Sequence, residues 1–360
     1  MEIRLGDFKT TAQHRKVIND ILDNGRITEG KYVKLFEEAV EKFLGVKHAI
    51  AVTNGTVALQ LVAQYINHIS TKKQTVCIPA TTFPATINAF LLNGFKVILC
   101  DIDEKTLCMD VDNLTWWEKQ QIDVIVPVHL MGYTCDMDKI NKMANKYNWI
   151  VVEDFAEAFG SKYKGIRVGS MEDFGCSSFF MSHIIQGGEL GIVTTNNTEA
   201  YKVMKKMKNH GRHGDPMQFE HKYIGSNYKT TEFCAGICYT QLKTADKAIK
   251  KRQDNAKYLY DNIKNFVLEP YPVGNNFSFL GYPIKAYGTA SRKIMCEMLN
   301  RKGIETRGIF PCLANQEAYK GMFKKKYSVS EEVERDVFYI PCHQYLKKNE
   351  LKKMVEVLSE

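Results

Sequence analysis

Several short segments carry residues able to act on a planar, anionic molecule. Asn54-Gly55-Thr56 ends an apolar run and opens a helical pattern. Backbone N–H groups at a helix N-terminus make a natural phosphate seat, and glycine permits close approach. An ordinary strand-to-helix turn reads the same way. Val151-Val152-Glu153-Asp154 places two acids at the C-terminal end of an apolar strand, where ligands bind in open α/β sheets. A carboxylate there wants a partner such as a cationic ring nitrogen, unless Asp154 only caps the next helix. Phe83, after Pro79-Ala80-Thr81-Thr82, suits either stacking on a planar ring or core packing. Ser177 and Ser178 suit a phosphate or a surface turn. His183 follows Ser178 by five residues, among Gly187, Gly188 and Gly191, which suggests a loop. With an ordinary pKa of roughly 6.5, its imidazole suits a general base at neutral pH.

The elements that must position these residues alternate between two patterns. His48-Ala49-Ile50-Ala51-Val52, Thr75-Val76-Cys77-Ile78, Lys96-Val97-Ile98-Leu99-Cys100, Val124-Ile125-Val126-Pro127-Val128 and Trp149-Ile150-Val151-Val152 read as strands. Near-continuous apolar strands mean a sheet covered on both faces, as in parallel α/β domains. Val33, Phe36, Val40, Phe43 and Leu44 recur at helical spacing, and a second helix follows Gly55. Residues 240–264 read as one long helix without Pro or Gly, connecting to a smaller α+β unit. In that unit 277–286 suits a strand and 291–302 a helix. The chain has 360 residues, which suits two domains, divided here as 1–245 and 246–360.

The net charge of +8 suits an anionic substrate such as a nucleotide diphosphate. The basic runs Lys250-Lys251-Arg252 and Lys324-Lys325-Lys326 read as solvated faces. No aromatic residues interleave with a basic stripe, which argues against nucleic acid. No apolar run is long enough to span a membrane, and the N-terminus lacks a signal-peptide core. The ten cysteines show no metal-ligand spacing and read as buried free thiols, which points to no metal and to the cytoplasm. Cys234 and Cys238 share a helix face, but no second pair completes a site. Residues 208–224, with His210, Arg212, His213 and His221, read as an exposed loop near substrate or simply as solvated surface.

Taken in order, these segments resemble the DegT/DnrJ/StrS family of sugar aminotransferases, which use pyridoxal phosphate. The resemblance runs from Gly25-Arg26-Ile27-Thr28-Glu29-Gly30 to Ile340-Pro341-Cys342-His343, and is most specific at 54–59, 79–88, 153–160, 178–191 and Gly225-Ser226-Asn227. It implies the aspartate aminotransferase fold: an α/β large domain with a mostly parallel seven-stranded sheet, and a smaller C-terminal α+β domain. It also implies that Gly55, Thr56 and Ser178 hold the cofactor phosphate, that Phe83 stacks on the pyridine ring and that Asp154 pairs with its nitrogen. Asn227 would reach the neighbouring subunit's site, which requires a homodimer.

Three positions depart from the family pattern. Glu157, among the cofactor-binding positions, stands where Gln is common. Gly188-Glu189-Leu190-Gly191 stands where Gly-Glu-Gly-Gly is usual. His183 stands where most members have the lysine that bonds covalently to the cofactor. In this the chain is similar to a branch of nucleotide-sugar 3-dehydratases. That likeness implies a pyridoxamine phosphate enzyme that removes the 3-hydroxyl of a nucleotide-linked 4-keto-6-deoxy sugar, with His183 as the catalytic base. The products would be ammonia and a 3-deoxy-4-keto sugar, in deoxysugar biosynthesis for a surface polysaccharide, and glutamate would restore the cofactor amine. No cysteine grouping suggests the iron–sulfur route of the CDP-sugar members. Thr306-Arg307-Gly308-Ile309-Phe310 fits these dehydratases and perosamine-synthase-like 4-aminotransferases alike. Two alternatives stand beside this reading: a 4-aminotransferase whose lysine is replaced, and a non-catalytic sugar-nucleotide binding protein.

Overall fold

The apolar, β-branched runs pair with one another because a strand buried on both faces needs no polar side. The computed structural model describes residues 2–214, 217–265, 267–287 and 291–359. In chain order the first strands are β1 (His48–Val52), β2 (Thr75–Pro79), β3 (Lys96–Cys100), β4 (Val124–Ile125) and β5 (Ile150–Asp154). A small hairpin, β6 (Lys162–Tyr163) and β7 (Ile166–Arg167), precedes β8 (Phe174–Ser178) and β9 (Gly191–Thr195). The large sheet runs β1-β9-β8-β5-β4-β2-β3 and has seven strands. Its pairings are parallel except the two made by β9.

Helices cover both faces: α1 (Ala12–Asn24), α2 (Lys31–Leu44), α3 (Gly55–Ile69), α4 (Pro84–Leu91), α5 (Trp116–Gln121), α6 (Met137–Tyr147), α7 (Thr198–Met207), α8 (Glu232–Leu242) and α9 (Ala245–Asn262). Leu59, Val62 and Ile66 of α3 pack with Val52 and Val152 on one face. Phe36 and Val40 of α2 pack with Ala51 and Phe179 on the other. Beyond α9 come β10 (Leu268–Pro270), β11 (Tyr282–Ala286), α10 (Arg292–Arg301), β12 (Arg307–Gly308), α11 (Ser328–Asp336), β13 (Val337–Ile340) and α12 (Lys348–Ser359). Here the sheet runs β10-β11-β13-β12 and is antiparallel throughout. One apolar cluster continues from Ile125 and Val151 through Phe279 to Ile284 and Phe338, so the two sheets share a core.

Buried carboxylates tie distant segments together. Glu232 of α8 accepts the N–H groups of Gly30, Tyr32 and Val33, closing the N-terminus of α2, which has no side-chain cap of its own. Asp101, just after β3, accepts from the N–H of Val329, the N–H of Ser330 and the Ser330 hydroxyl, fixing α11.

Three sequence expectations change. Residues 240–264 are not one helix: α8 ends at Leu242 and α9 begins at Ala245. The Thr240 and Thr244 hydroxyls bond back to the carbonyls of Ile237 and Gln241, a local bond that competes with the helix ladder. The strand expected over 277–286 begins only at Tyr282, because Phe279 has φ 47° and turns the chain so that Leu280 N–H meets the Met131 carbonyl. Lys250 and Lys251 are exposed, but Arg252 is fully buried, donating to the Phe279 and Leu280 carbonyls and to Gln344. The helix turns it inward.

Candidate active site

The C-terminal ends of β1, β2, β5 and β8 open onto one cavity of about 390 Å³. Gly55, Thr56, Phe83, Asp154, Glu157, Ser178 and His183 all line it, as does Ser177. Thus seven of the eight positions singled out from the sequence converge. Asn227 does not line the cavity; it is exposed and forms an isolated bridge with Asn209. His210, Arg212, His213 and His221 also lie outside the lining, and Asp215 and Pro216 of that loop lie outside the described residues.

The phosphate seat is built by close approach. Asn54 caps α3, its Oδ1 taking the Val57 N–H and its carbonyl the Ala58 N–H. The N–H groups of Gly55 and Thr56 are left at the cavity wall. A Cβ on Gly55 would lie 2.7 Å from the Ser178 Cβ, and one on Gly191 would lie 2.2 Å from the Asn54 carbonyl oxygen. Glycine at both places lets the helix start and Ser178 stand side by side. Ser178 accepts only a long bond from Phe180 N–H, 3.4 Å, whereas Ser177 is buried and donates to the Phe155 carbonyl.

Strand alternation separates the two acids of β5. Glu153 points away from the cavity and accepts from the N–H groups of Gly169 and Met171 and from His129 Nε2. His129 Nδ1 accepts the Cys135 N–H, so Nε2 carries the proton toward Glu153. Asp154 faces the cavity. Its Oδ2 accepts the Thr86 hydroxyl at 2.9 Å and its Oδ1 the Ala156 N–H at 3.2 Å. Thr86 spends its one proton on Asp154, so the Thr82 hydroxyl, 3.0 Å away, donates to Thr86. Burial raises the Asp154 pKa, and the Ala156 and Thr86 bonds work against it. No lysine or arginine pairs with it among the described residues.

Glu157 is buried, with its Oε2 accepting the Met131 N–H at 3.0 Å. Burial pushes its pKa to about 8; the Met131 bond works against this and the Asp154 charge adds to it. His183 is half-buried in the turn between β8 and β9, and its Nδ1 is enclosed without a hydrogen-bond partner. Desolvation and the Arg252 guanidinium depress its pKa to about 4, against the Ala156 backbone. The ordinary value expected from sequence is therefore corrected. The ring is neutral at pH 7, available as a base but not as a standing acid.

These features fit a planar cationic ring that carries a phosphate. Asp154 is a buried carboxyl with no lysine or arginine partner among the described residues. Phe83 is 56% exposed on the wall, tilted against Phe310 at 5.5 Å. The capped helix start supplies N–H donors. Among the described residues no lysine lines the cavity. Sequence reasoning missed Thr86, although it sits one helical turn after Phe83 and so on the same side of α4. It also missed Tyr339, on β13, and Leu280, just before β11. Among the described residues there is no His, Cys, Asp and Glu cluster able to hold a metal ion, and no helix long and apolar enough to cross a membrane. All ten cysteines are free.

Comparison with known proteins gives a consistent picture. GDP-perosamine synthase of Escherichia coli O157:H7 is 31% identical over 352 residues, covering 97% of this chain and 96% of that protein. A dTDP-3-amino-3,6-dideoxy-alpha-D-galactopyranose transaminase of Aneurinibacillus thermoaerophilus is 28% identical, covering 100% of this chain and 98% of that one. The solved structure of E. coli GDP-4-keto-6-deoxy-D-mannose-3-dehydratase with bound hydrated PLP superposes with a TM-score of 0.91 at 25% identity, covering 99% of this chain and 100% of that one. The model of the DegT/DnrJ/EryC1/StrS aminotransferase family matches residues 9–359, and the chain belongs to that family.

Proposed function

We propose that this protein is a nucleotide-sugar enzyme that uses pyridoxamine phosphate without a covalent link and removes the 3-hydroxyl of a nucleotide-linked 4-keto-6-deoxy sugar. The observation that carries the reading is His183, a neutral imidazole in a cavity that no lysine among the described residues lines. Pyridoxal phosphate, or its amine form, is the cofactor; when bound it supplies an amine and an electron sink. Asp154 holds the ring nitrogen and Phe83 covers the ring. Gly55, Thr56 and Ser178 hold the phosphate. His183 takes a proton at its free ring nitrogen. Histidine cannot form the covalent link through which a lysine holds the cofactor and completes transamination, so elimination is the outcome its chemistry favours.

Asn227, exposed and outside its own cavity, is assigned to the site of a second copy in a homodimer. Glutamate is assigned as the donor that restores the amine. The division of the chain at 245/246, beside the start of α9, belongs to the same reading.

A second reading is favoured by the relatives' names, which include a perosamine synthase and a transaminase. In it the protein is a nucleotide-sugar 4-aminotransferase whose lysine is replaced. One experiment separates the two. The protein is incubated with pyridoxamine phosphate, glutamate and GDP- or CDP-linked 4-keto-6-deoxy sugars, and the products are weighed by mass spectrometry. Ammonia and a sugar lacking its 3-hydroxyl support dehydration. A 4-amino sugar without ammonia refutes it, and binding without turnover of any sugar favours a non-catalytic role.

A further inference from the structure

Two ionisable side chains face the same cavity with opposite proton preferences. The turn of chain after β5 brings them together: Ala156, whose backbone acts on His183, is followed directly by Glu157. One Glu157 oxygen is held by the Met131 N–H. The other has no hydrogen bond among the described residues, and the side chain lines the cavity. Met131 holds its N–H there from a left-handed conformation, φ 54°, that a non-glycine residue adopts at a cost.

The charged and titratable groups around Glu157 do not neutralise a carboxylate. Asp154 faces it from the end of β5, and Glu189 lines the cavity from the loop before β9. Tyr339 lines it from β13. Arg307, on β12, is paired with Glu305. No lysine or arginine makes an ion pair with Glu157 among the described residues. A buried carboxyl without a cation and beside another acid keeps its proton.

We propose that Glu157 is the proton donor of this site, delivering its proton to the oxygen that leaves the sugar while His183 takes the proton from carbon. This rests on the dehydration reading above. One C–H bond and the C3–O bond break. The proton of the first goes to His183, and its electron pair displaces the pair that leaves with the oxygen. That oxygen takes the Glu157 proton and departs as water. Both side chains begin neutral and end as imidazolium and carboxylate, so the buried site gains no net charge. The pair is reset when a proton returns from His183 to Glu157. Two titratable groups whose surroundings push their pKa values apart divide base and acid between them: about 4 for His183 and about 8 for Glu157.

The test uses Glu157→Gln, which keeps the shape and a neutral donor but has no proton to give. Infrared difference spectra of wild type minus variant, without cofactor, are expected to show a protonated-carboxyl band below pH ~7 that fades at higher pH. Absence of that band overturns the proposal. With pyridoxamine phosphate and a GDP-4-keto-6-deoxy sugar, the variant is expected to lose about 100-fold or more in 3-deoxygenation, the usual size of a general-acid effect. Turnover of the two proteins is compared at saturating cofactor, fixed for each by absorbance titration, because Glu157 also stands among the cofactor-binding positions. A variant that turns over like wild type overturns the acid role and leaves the dehydration reading intact. A wild type that dehydrates no sugar overturns that reading, and the acid role with it.

Discussion

Glu153 and Asp154 are adjacent in sequence, buried side by side, and opposite in what surrounds them. Glu153 faces the protein interior and is saturated by two backbone N–H groups and His129. Asp154 faces the cavity with one hydroxyl, one N–H and no cation. The first is an acid whose bonds hold the fold; the second is an acid with bonding capacity left for something the chain does not itself supply. Burial alone does not distinguish them. What distinguishes them is whether the hydrogen-bonding capacity is already spent.

The largest expected effect breaks this contrast at Asp154. Asp154→Asn removes the partner of a buried cationic ring, and breaking such a pair costs about 3–5 kcal/mol. That is roughly 100- to 1,000-fold or more in cofactor affinity, to be read by absorbance titration. The cofactor-free protein should unfold at the same temperature or slightly higher, because the variant replaces a buried acid that has no cationic partner with a neutral amide of the same shape. Glu153→Ala should do the reverse. It orphans two N–H groups and an imidazole, and should cost about 3 kcal/mol in a chemical unfolding titration. Equal losses of stability in the two variants would erase the distinction.

The same contrast explains what the sequence could tell. Five strands of the sheet are legible because strands buried on both faces are written in continuous β-branched runs. β8, Phe174-Gly175-Cys176-Ser177-Ser178, has no such run, β9 was not read as a strand either, and the count of seven rests on the family resemblance alone. The cavity was legible because its residues stand at the ends of those runs. Period-two alternation also separates Glu153 from Asp154 in principle, but only the location of the cavity says which face matters. Arg252 was misread because a run of three basic residues looks solvated until the helix phase is known. Thr86 was passed over because a threonine has no signature of its own; its role exists only through Asp154. The pKa of His183 was unreadable because it depends on desolvation and on an arginine 69 positions further along the chain. Tyr339 lies on β13 and Leu280 just before β11, both far along the chain from the lining residues of β5 and β8, and no local pattern announces them.

Acidity gives a smaller and more gradual test. Glu157 rises from its ordinary 4.5 to about 8 in the fold, so between those values the folded protein holds a proton that the unfolded chain gives up. Stability therefore falls as pH rises through that window, by up to about 1.4 kcal/mol per pH unit for one proton. His183 and His343 are both lowered from 6.5 to about 4, so each contributes stability that is present above 6.5 and lost as pH falls toward 4. The two trends oppose one another below pH 6.5, and from there to about 8 the Glu157 fall runs without that opposition. Melting temperatures of the cofactor-free protein across this range should decline, and Glu157→Gln should flatten the decline. An unchanged slope in the variant would mean that Glu157 is ionised in the fold.

The finest test lies one bond behind Asp154. Thr86 donates to its carboxylate, and a hydrogen bond to a charged group contributes about 1.5–3 kcal/mol. Thr86→Val keeps the shape and loses the donor, so cofactor affinity should fall by at least about tenfold. Thr86→Ser should recover most of that loss, which a packing defect at a β-branched site would not allow. Thr82→Val acts one hydroxyl further back, through polarisation of the Thr86 donor alone. Hydrogen bonds in series strengthen each other by about 10–30%, so its effect should be a small fraction of that of Thr86→Val. Should the two valine variants weaken cofactor binding equally, the chain of hydroxyls would matter as packing beneath α4 and not as a donor relay to Asp154. The cavity-facing acid would then resemble Glu153 more than its lack of a cationic partner suggests.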